Sequence, residues 1–85
     1  MTTMLRIQVA FKRLGVGRSQ GYAGIQAGVL PRPVKLGLRA AALPDFEVEA
    51  INAARLAGYD DKQLRALVKR LHEQRKTAAV GQAKA

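Results

Sequence analysis

Ile7, Ala10, Phe11 and Leu14 recur at i, i+3, i+4 and i+7, so Val9–Leu14 with the residues just before it reads as a short helix with one apolar face. Lys12 and Arg13 face away from that stripe. Gly15-Val16-Gly17-Arg18 follows as a tight turn. Gly15 suits the left-handed residue that ends a helix, and Val16 is the turn's apolar plug. Ser19–Ala27 reads as a second helix, capped by Gly17 or Ser19; Gly17 is favoured and is acceptable there, though weaker than serine. Gly21 and Gly24 each cost about 1 kcal/mol against alanine inside a helix. Phe11 supplies a reason for the first of them: where the two helices cross, a glycine leaves room for so large a side chain. Gly28 ends the helix, and Pro31 and Pro33 forbid its continuation.

Beyond the prolines the pattern becomes extended. Val34-Lys35-Leu36 and Ala40-Ala41-Ala42-Leu43 are strand candidates around Gly37-Leu38, together a small β-hairpin; alanine makes the second strand the weaker assignment. Residues 1–6 read as an extended lead-in. Pro44 suits the first turn of a third helix, whose N-terminal end is favoured by Asp45, Glu47 and Glu49. Phe46, Val48, Ile51 and Leu56 are its expected apolar contacts, and Gly58 stops it.

A last helix opens at Asp60, where Asp60-Asp61-Lys62-Gln63 has the spacing of a capping box. Leu64, Leu67, Val68 and Leu71 form an apolar stripe opposite Lys62, Arg65, Lys69 and Arg70. That stripe either docks on the rest of its own chain or pairs with another copy, and the pattern fits both. Residues 78–85 are small and aperiodic and read as a flexible tail. The pattern predicts a mainly α fold with a small β-hairpin: a winged helix-turn-helix over 1–58, an amphipathic helix over 59–77, and the tail.

Composition narrows the possibilities. Eighty-five residues, 48% of them hydrophobic, make one small globular unit with a modest core and little room for a deep pocket. With no cysteine, disulfides, thiolate metal sites and cysteine nucleophiles are excluded. No apolar run approaches the roughly 18 residues of a spanning helix, and the start lacks a secretory-signal layout, so a cytoplasmic protein is expected.

Charge changes the picture most. The net charge is +9, and it is unevenly placed. Arg6, Lys12, Arg13, Arg18, Arg32, Lys35 and Arg39 give residues 1–44 a charge of +7 with no carboxylate, whereas eight bases and six acids leave residues 45–85 at +2. Solubility alone does not require one half to lack acids; the segregation points instead to a polyanionic partner.

Two short helices joined by a glycine-containing turn form the helix-turn-helix motif, whose second helix reads the DNA major groove from its first turn. Arg18, Ser19 and Gln20 occupy that turn, with Ala23 and Gln26 further along the face. Arginine pairs bidentately with guanine, glutamine with adenine, and serine serves a base or a phosphate. In isolation such residues describe an ordinary solvated helix face; beside the charge asymmetry they describe a recognition helix. Tyr22 is expected in the core with its hydroxyl at the surface, where it can also meet a phosphate. Arg32, Lys35 and Arg39, on or beside the hairpin, are expected to grip backbone as a wing.

Enzymatic readings fare poorly, and no enzyme, cofactor or metal site is expected. His72, the single histidine, reads as solvated between Leu71 and Glu73. Helix-start electrostatics accounts for Asp45, Glu47 and Glu49. Gly15-Val16-Gly17 follows a helix rather than a strand and lacks a Gly-Lys-Ser/Thr ending, so it is no phosphate loop. The competing readings are a protein-interaction module working through the last helix and a basic RNA-binding protein.

Leu14-Gly15-Val16-Gly17-Arg18-Ser19, Tyr22, Ile25, Gly28, Pro31-Arg32-Pro33-Val34-Lys35-Leu36-Gly37 and Arg39-Ala40 together resemble the AlpA family of prophage regulators, relatives of phage excisionases. Glu47-Val48-Glu49-Ala50 and Ala53-Ala54-Arg55 extend the likeness, which covers residues 5–55. The chain departs from the family pattern at Gly17, Gly21, Gly24 and Leu43, where members usually carry serine, a branched apolar residue, leucine and tryptophan. The resemblance implies an excisionase- or MerR-like winged helix-turn-helix. It also implies a role in mobile elements as a recombination directionality factor, a transcription regulator, or both. Double-stranded DNA, further copies of the protein on that DNA and an integrase or recombinase are the implied partners.

Overall fold

The computed structural model describes residues 2–84, and the side chains of residues 2–77. In chain order the elements are β1 (Met4–Arg6), α1 (Ile7–Leu14), α2 (Arg18–Ala27), β2 (Val34–Lys35), β3 (Ala41–Pro44), α3 (Asp45–Leu56) and α4 (Asp61–Lys84). The molecule is mainly helical with a small antiparallel sheet of order β1-β3-β2. Among the described residues no helix is long and apolar enough to cross a membrane.

The sheet has three strands, where the sequence pattern predicts a two-stranded hairpin. The lead-in is in fact an edge strand: Met4, Leu5 and Arg6 pair with Pro44, Leu43 and Ala42. The Asp45 amide then donates to the Thr3 carbonyl at 2.8 Å, tying the start of α3 to the same edge. Three residues are too few to show an alternation of their own, so this strand is defined by its partner. β3 is the central strand despite its alanines, with Ala42 and Leu43 completely buried between its neighbours and the helices.

The first three helices end alike. In α1 the Val16 and Gly15 amides donate to the Phe11 and Lys12 carbonyls; in α2 the Val29 and Gly28 amides donate to Gly24 and Ile25; in α3 the Tyr59 and Gly58 amides donate to Ala54 and Arg55. This is the Schellman pattern, which satisfies the orphan carbonyls provided one residue turns left-handed. Gly15, Gly28 and Gly58 do so, at φ 71°, 81° and 86°. Two of the helix starts follow the sequence pattern. Gly17, extended at φ −78°, is the N-cap of α2, and Asp60 and Gln63 form the capping box of α4: each side-chain oxygen accepts the other residue's amide proton, at 2.8 and 2.9 Å.

One core joins all these pieces. Phe11, Leu14, Leu43, Val48 and Ile51 lie in it together with Leu64, Val68 and Leu71 of α4, and Leu67 packs against its edge. The apolar stripe of the last helix therefore docks on its own chain, and residues 59–77 share the hydrophobic core of residues 1–58. The α4 backbone continues past 77 to Lys84; the side chains of the tail expected at 78–85 lie outside the described residues. Phe46 and Leu56 are not core contacts: both are exposed, Leu56 at 90%. α3 packs through Glu47, Val48, Ile51 and Ala54, and positions 46 and 56 fall on the opposite side of a 3.6-residue helix.

Gly21 is buried against Phe11, and a Cβ built there lies 2.5 Å from Cζ of that ring. The crossing of α1 and α2 thus depends on the pair. Gly24 has a similar reason not visible in the sequence: a Cβ there lies 2.8 Å from Cδ1 of the buried Leu30.

Candidate nucleic-acid interface

The first turn of α2 stands free. Arg18, Ser19 and Gln20 are exposed, as are Ala23 and Gln26 along the same helix. Gly17 contributes no side-chain cap, and no acid lies in this first turn. The amides of an uncapped helix start are orphan donors at the positive end of the helix dipole, a combination that attracts anions.

Arg18 lies over one ring of an aromatic pair. Phe11, in the core, meets Tyr22 edge-on, with centroids 5.2 Å apart and planes at 88°. Tyr22 in turn carries the Arg18 guanidinium carbon 6.0 Å from its ring centre. Tyr22 is 42% exposed, so it is a surface ring leaning on the core rather than the core residue the pattern predicts. The missing side chain at Gly21 lets Phe11 rise to meet it.

Of the three basic residues expected on the hairpin, the structure brings one to α2. Arg39, exposed in the bend between β2 and β3, lines a depression of about 330 Å³ together with Lys12, Arg18, Tyr22 and Gln8. It also lines a smaller one of about 140 Å³ with Arg6 and Gln8. Four cations from three separate elements and a loop thus border one continuous stretch of surface. Lys35 is exposed on β2. Arg32 goes elsewhere: it lines a depression of about 380 Å³ with Ile25 and Gly28 of the α2 end and with Lys69, His72, Glu73 and Lys76 of α4.

The reason is a set of contacts absent from the sequence reading. His72 is not simply solvated: its Nε2 accepts the Arg32 amide proton at 3.0 Å. Arg75 donates Nη2 to the Arg32 carbonyl at 2.8 Å, and Nε and Nη2 to the two Glu47 oxygens at 2.8 and 2.6 Å. Glu47 is completely buried and paired, so helix-start electrostatics does not account for it. α4 thereby holds the Pro31-Arg32-Pro33 backbone by both its N–H and its C=O. Burial, followed by the neighbouring Arg75 and Arg32 charges, lowers the His72 pKa from 6.5, with Glu47 opposing. The signal was present in the spacing: Glu47 stands four residues before Ile51, and Arg75 four after Leu71, so both charges continue the apolar stripes of their helices.

Comparison with protein-family models, characterised proteins and solved structures returns no match to the chain. The resemblance to AlpA regulators accordingly rests on the residues quoted for it.

Proposed function

We propose that the protein is a winged helix-turn-helix DNA-binding protein of the AlpA and excisionase kind, with α2 entering a major groove and the β2–β3 bend acting as the wing. The observation that carries the reading is the shared cationic depression: Arg18 at an uncapped helix start and Arg39 on the bend line one surface, with Lys12 beside them. Arg18, Ser19 and Gln20 face the base edges first, and Ala23 and Gln26 follow along the groove. Lys35 and Arg39 hold phosphates, positioning the domain without specifying sequence. Tyr22 holds Arg18 in place.

The mechanism is non-catalytic. Several copies side by side on a cytoplasmic DNA site bend it into an assembly that a recombinase or polymerase uses, and their cooperative contacts offset a bending cost of up to several kcal/mol. Excision control and transcription control draw on the same grip. The core position of Leu64, Val68 and Leu71 argues against a protein-interaction module working through that stripe.

Titration of a labelled duplex at rising salt tests the proposal. Neutralising about five to seven phosphates gives a log–log slope near −4 to −6. Gln20→Ala should change the preferred sequence, whereas Lys35→Ala should weaken all sites alike. Equal affinity for single-stranded RNA and for duplex DNA would instead identify an RNA-binding protein.

A further inference from the structure

The second basic depression lies at the other end of α2. Ile25 and Gly28, from the last turn of α2 and its cap, form one wall, and Lys69, His72 and Lys76 of α4 form the other, with Arg32 at the edge. Arg65 belongs to the same wall: a Cβ built on Gly28 lies 3.5 Å from its Cγ and Cδ, so its aliphatic stem runs along the end of α2. On a helix of 3.6 residues per turn, positions 65, 69, 72 and 76 fall on one stripe. Glu73 is the one carboxylate lining this depression, against Arg32, Lys69 and Lys76.

α2 is ten residues long, which spans about 15 Å at 1.5 Å per residue. It therefore has cations at both ends: Lys12, Arg18 and Arg39 at its start, and Arg32, Arg65, Lys69 and Lys76 at its finish. A B-DNA major groove is about 12 Å wide, with a phosphate strand on each side. A helix lying in that groove brings each of its ends close to one of the two strands.

We propose that the α4 stripe is a second phosphate-binding surface, in which Arg65, Lys69 and Lys76, with Arg32, grip the DNA strand on the far side of the groove that α2 enters. This rests on the reading of α2 as the recognition helix. It gives α4 a part in binding besides its place in the core, and makes the grip two-sided. The Arg75 and His72 contacts to the Arg32 backbone fix that residue's place beside the stripe.

The test compares salt slopes on one labelled duplex. Lys69→Gln/Lys76→Gln should make the log–log slope shallower by about 1.8, since each neutralised phosphate contributes about 0.9. Both side chains are exposed, so the thermal midpoint should not move. Lys69→Arg/Lys76→Arg should restore the wild-type slope. Arg70→Gln, which removes a charge about 100° round the helix from Lys69, should leave the slope unchanged. If the Lys69/Lys76 double variant keeps the wild-type slope while Lys35→Gln and Arg39→Gln make it shallower, the second surface is wrong and the α2 reading survives. If Arg70→Gln lowers the slope as much per charge as the double variant, bulk charge explains the effect and the surface is again wrong. If Lys35→Gln and Arg39→Gln leave the slope unchanged and Arg18→Gln leaves the sequence preference unchanged, the reading of α2 itself falls, and the two-sided grip with it.

Discussion

At the scale of single residues, the least ordinary choices are a glycine under a phenylalanine and a buried glutamate paired with a half-buried arginine. Alanine at position 21 puts its Cβ 2.5 Å from the Phe11 ring, too close without a shift of α1 against α2. Gly21→Ala should therefore destabilise by about 1–3 kcal/mol, although alanine is the better helix former. Phe11→Ala should cost about 3 kcal/mol or more through the cavity it leaves. Gly21→Ala combined with Phe11→Leu should cost less than the two single changes added together, and urea unfolding of the four proteins measures that coupling. The sequence carried this pair openly, because a large aromatic and an unexplained glycine in crossing helices invite one explanation. Arg75→Met is a different case. It leaves Glu47 buried and charged with no partner, a change that typically costs 3–5 kcal/mol. Adding Glu47→Leu should recover most of the loss, because an apolar pair in that position has no desolvation to offset. If the single Arg75→Met variant unfolds at the wild-type urea midpoint, the pair holds nothing together.

At the scale of elements, the parts with their own periodicity were legible and the parts made by partners were not. α1, α3, α4, the three glycine helix ends and the Asp60–Gln63 box follow from local pattern, because each needs only its own residues. β1 shows only against β3, and the strap from α4 to the Pro31-Arg32-Pro33 segment joins positions about forty residues apart. The site followed the same rule: the free start of α2 was legible, while the parting of Arg32 from Arg39 depended on α4. The strap has a pH signature. The charged and titratable groups around His72 are Arg32, Arg75, Glu47, Lys69, Glu73 and Lys76. Desolvation first, and then the arginines, hold its folded pKa below the unfolded 6.5, so the unfolded chain binds the extra proton. Stability from this group is complete above about 6.5 and is lost as pH falls from there through the lowered folded value. Protonation also turns the Nε2 acceptor into a donor facing the Arg32 N–H. Between pH 7.5 and 5 the urea midpoint of the wild type should fall further than that of His72→Gln, whose amide oxygen can accept the same proton without titrating. Parallel curves would show that the His72–Arg32 bond contributes no pH dependence.

At the scale of the molecule, the carboxylate-free front half and the last helix stand or fall together. Residues 1–58 hold every element from β1 to α3, which makes them look like a complete domain followed by an appendage. The core joins the two, since Leu64, Val68 and Leu71 belong to the same buried cluster as Phe11, Leu43 and Ile51. Burying each such side chain is worth about 1.5–3 kcal/mol. Three of them rival the roughly 5–15 kcal/mol by which a whole domain is stable. Losing α4 also strands Glu47 without Arg75. A chain ended at Gly58 should therefore show no cooperative urea transition and no measurable preference for duplex DNA, although it keeps Arg18, Gln20, Lys35 and Arg39. A separate α4 peptide added in excess should restore part of the far-ultraviolet circular dichroism, because its stripe finds the surface it left. A cooperative transition in the shortened chain alone would mean that α4 is an accessory, and the proposed second grip on DNA would then be an addition to a domain already complete. The charge follows the same logic. Residues 45–85 look nearly balanced at +2, yet five of their six acids, Asp45, Glu47, Glu49, Asp60 and Asp61, precede the run of bases on α4. Averaging over the half hides the stripe of Arg65, Lys69 and Lys76, and only docking of α4 brings that stripe to the end of α2 opposite Arg18 and Arg39.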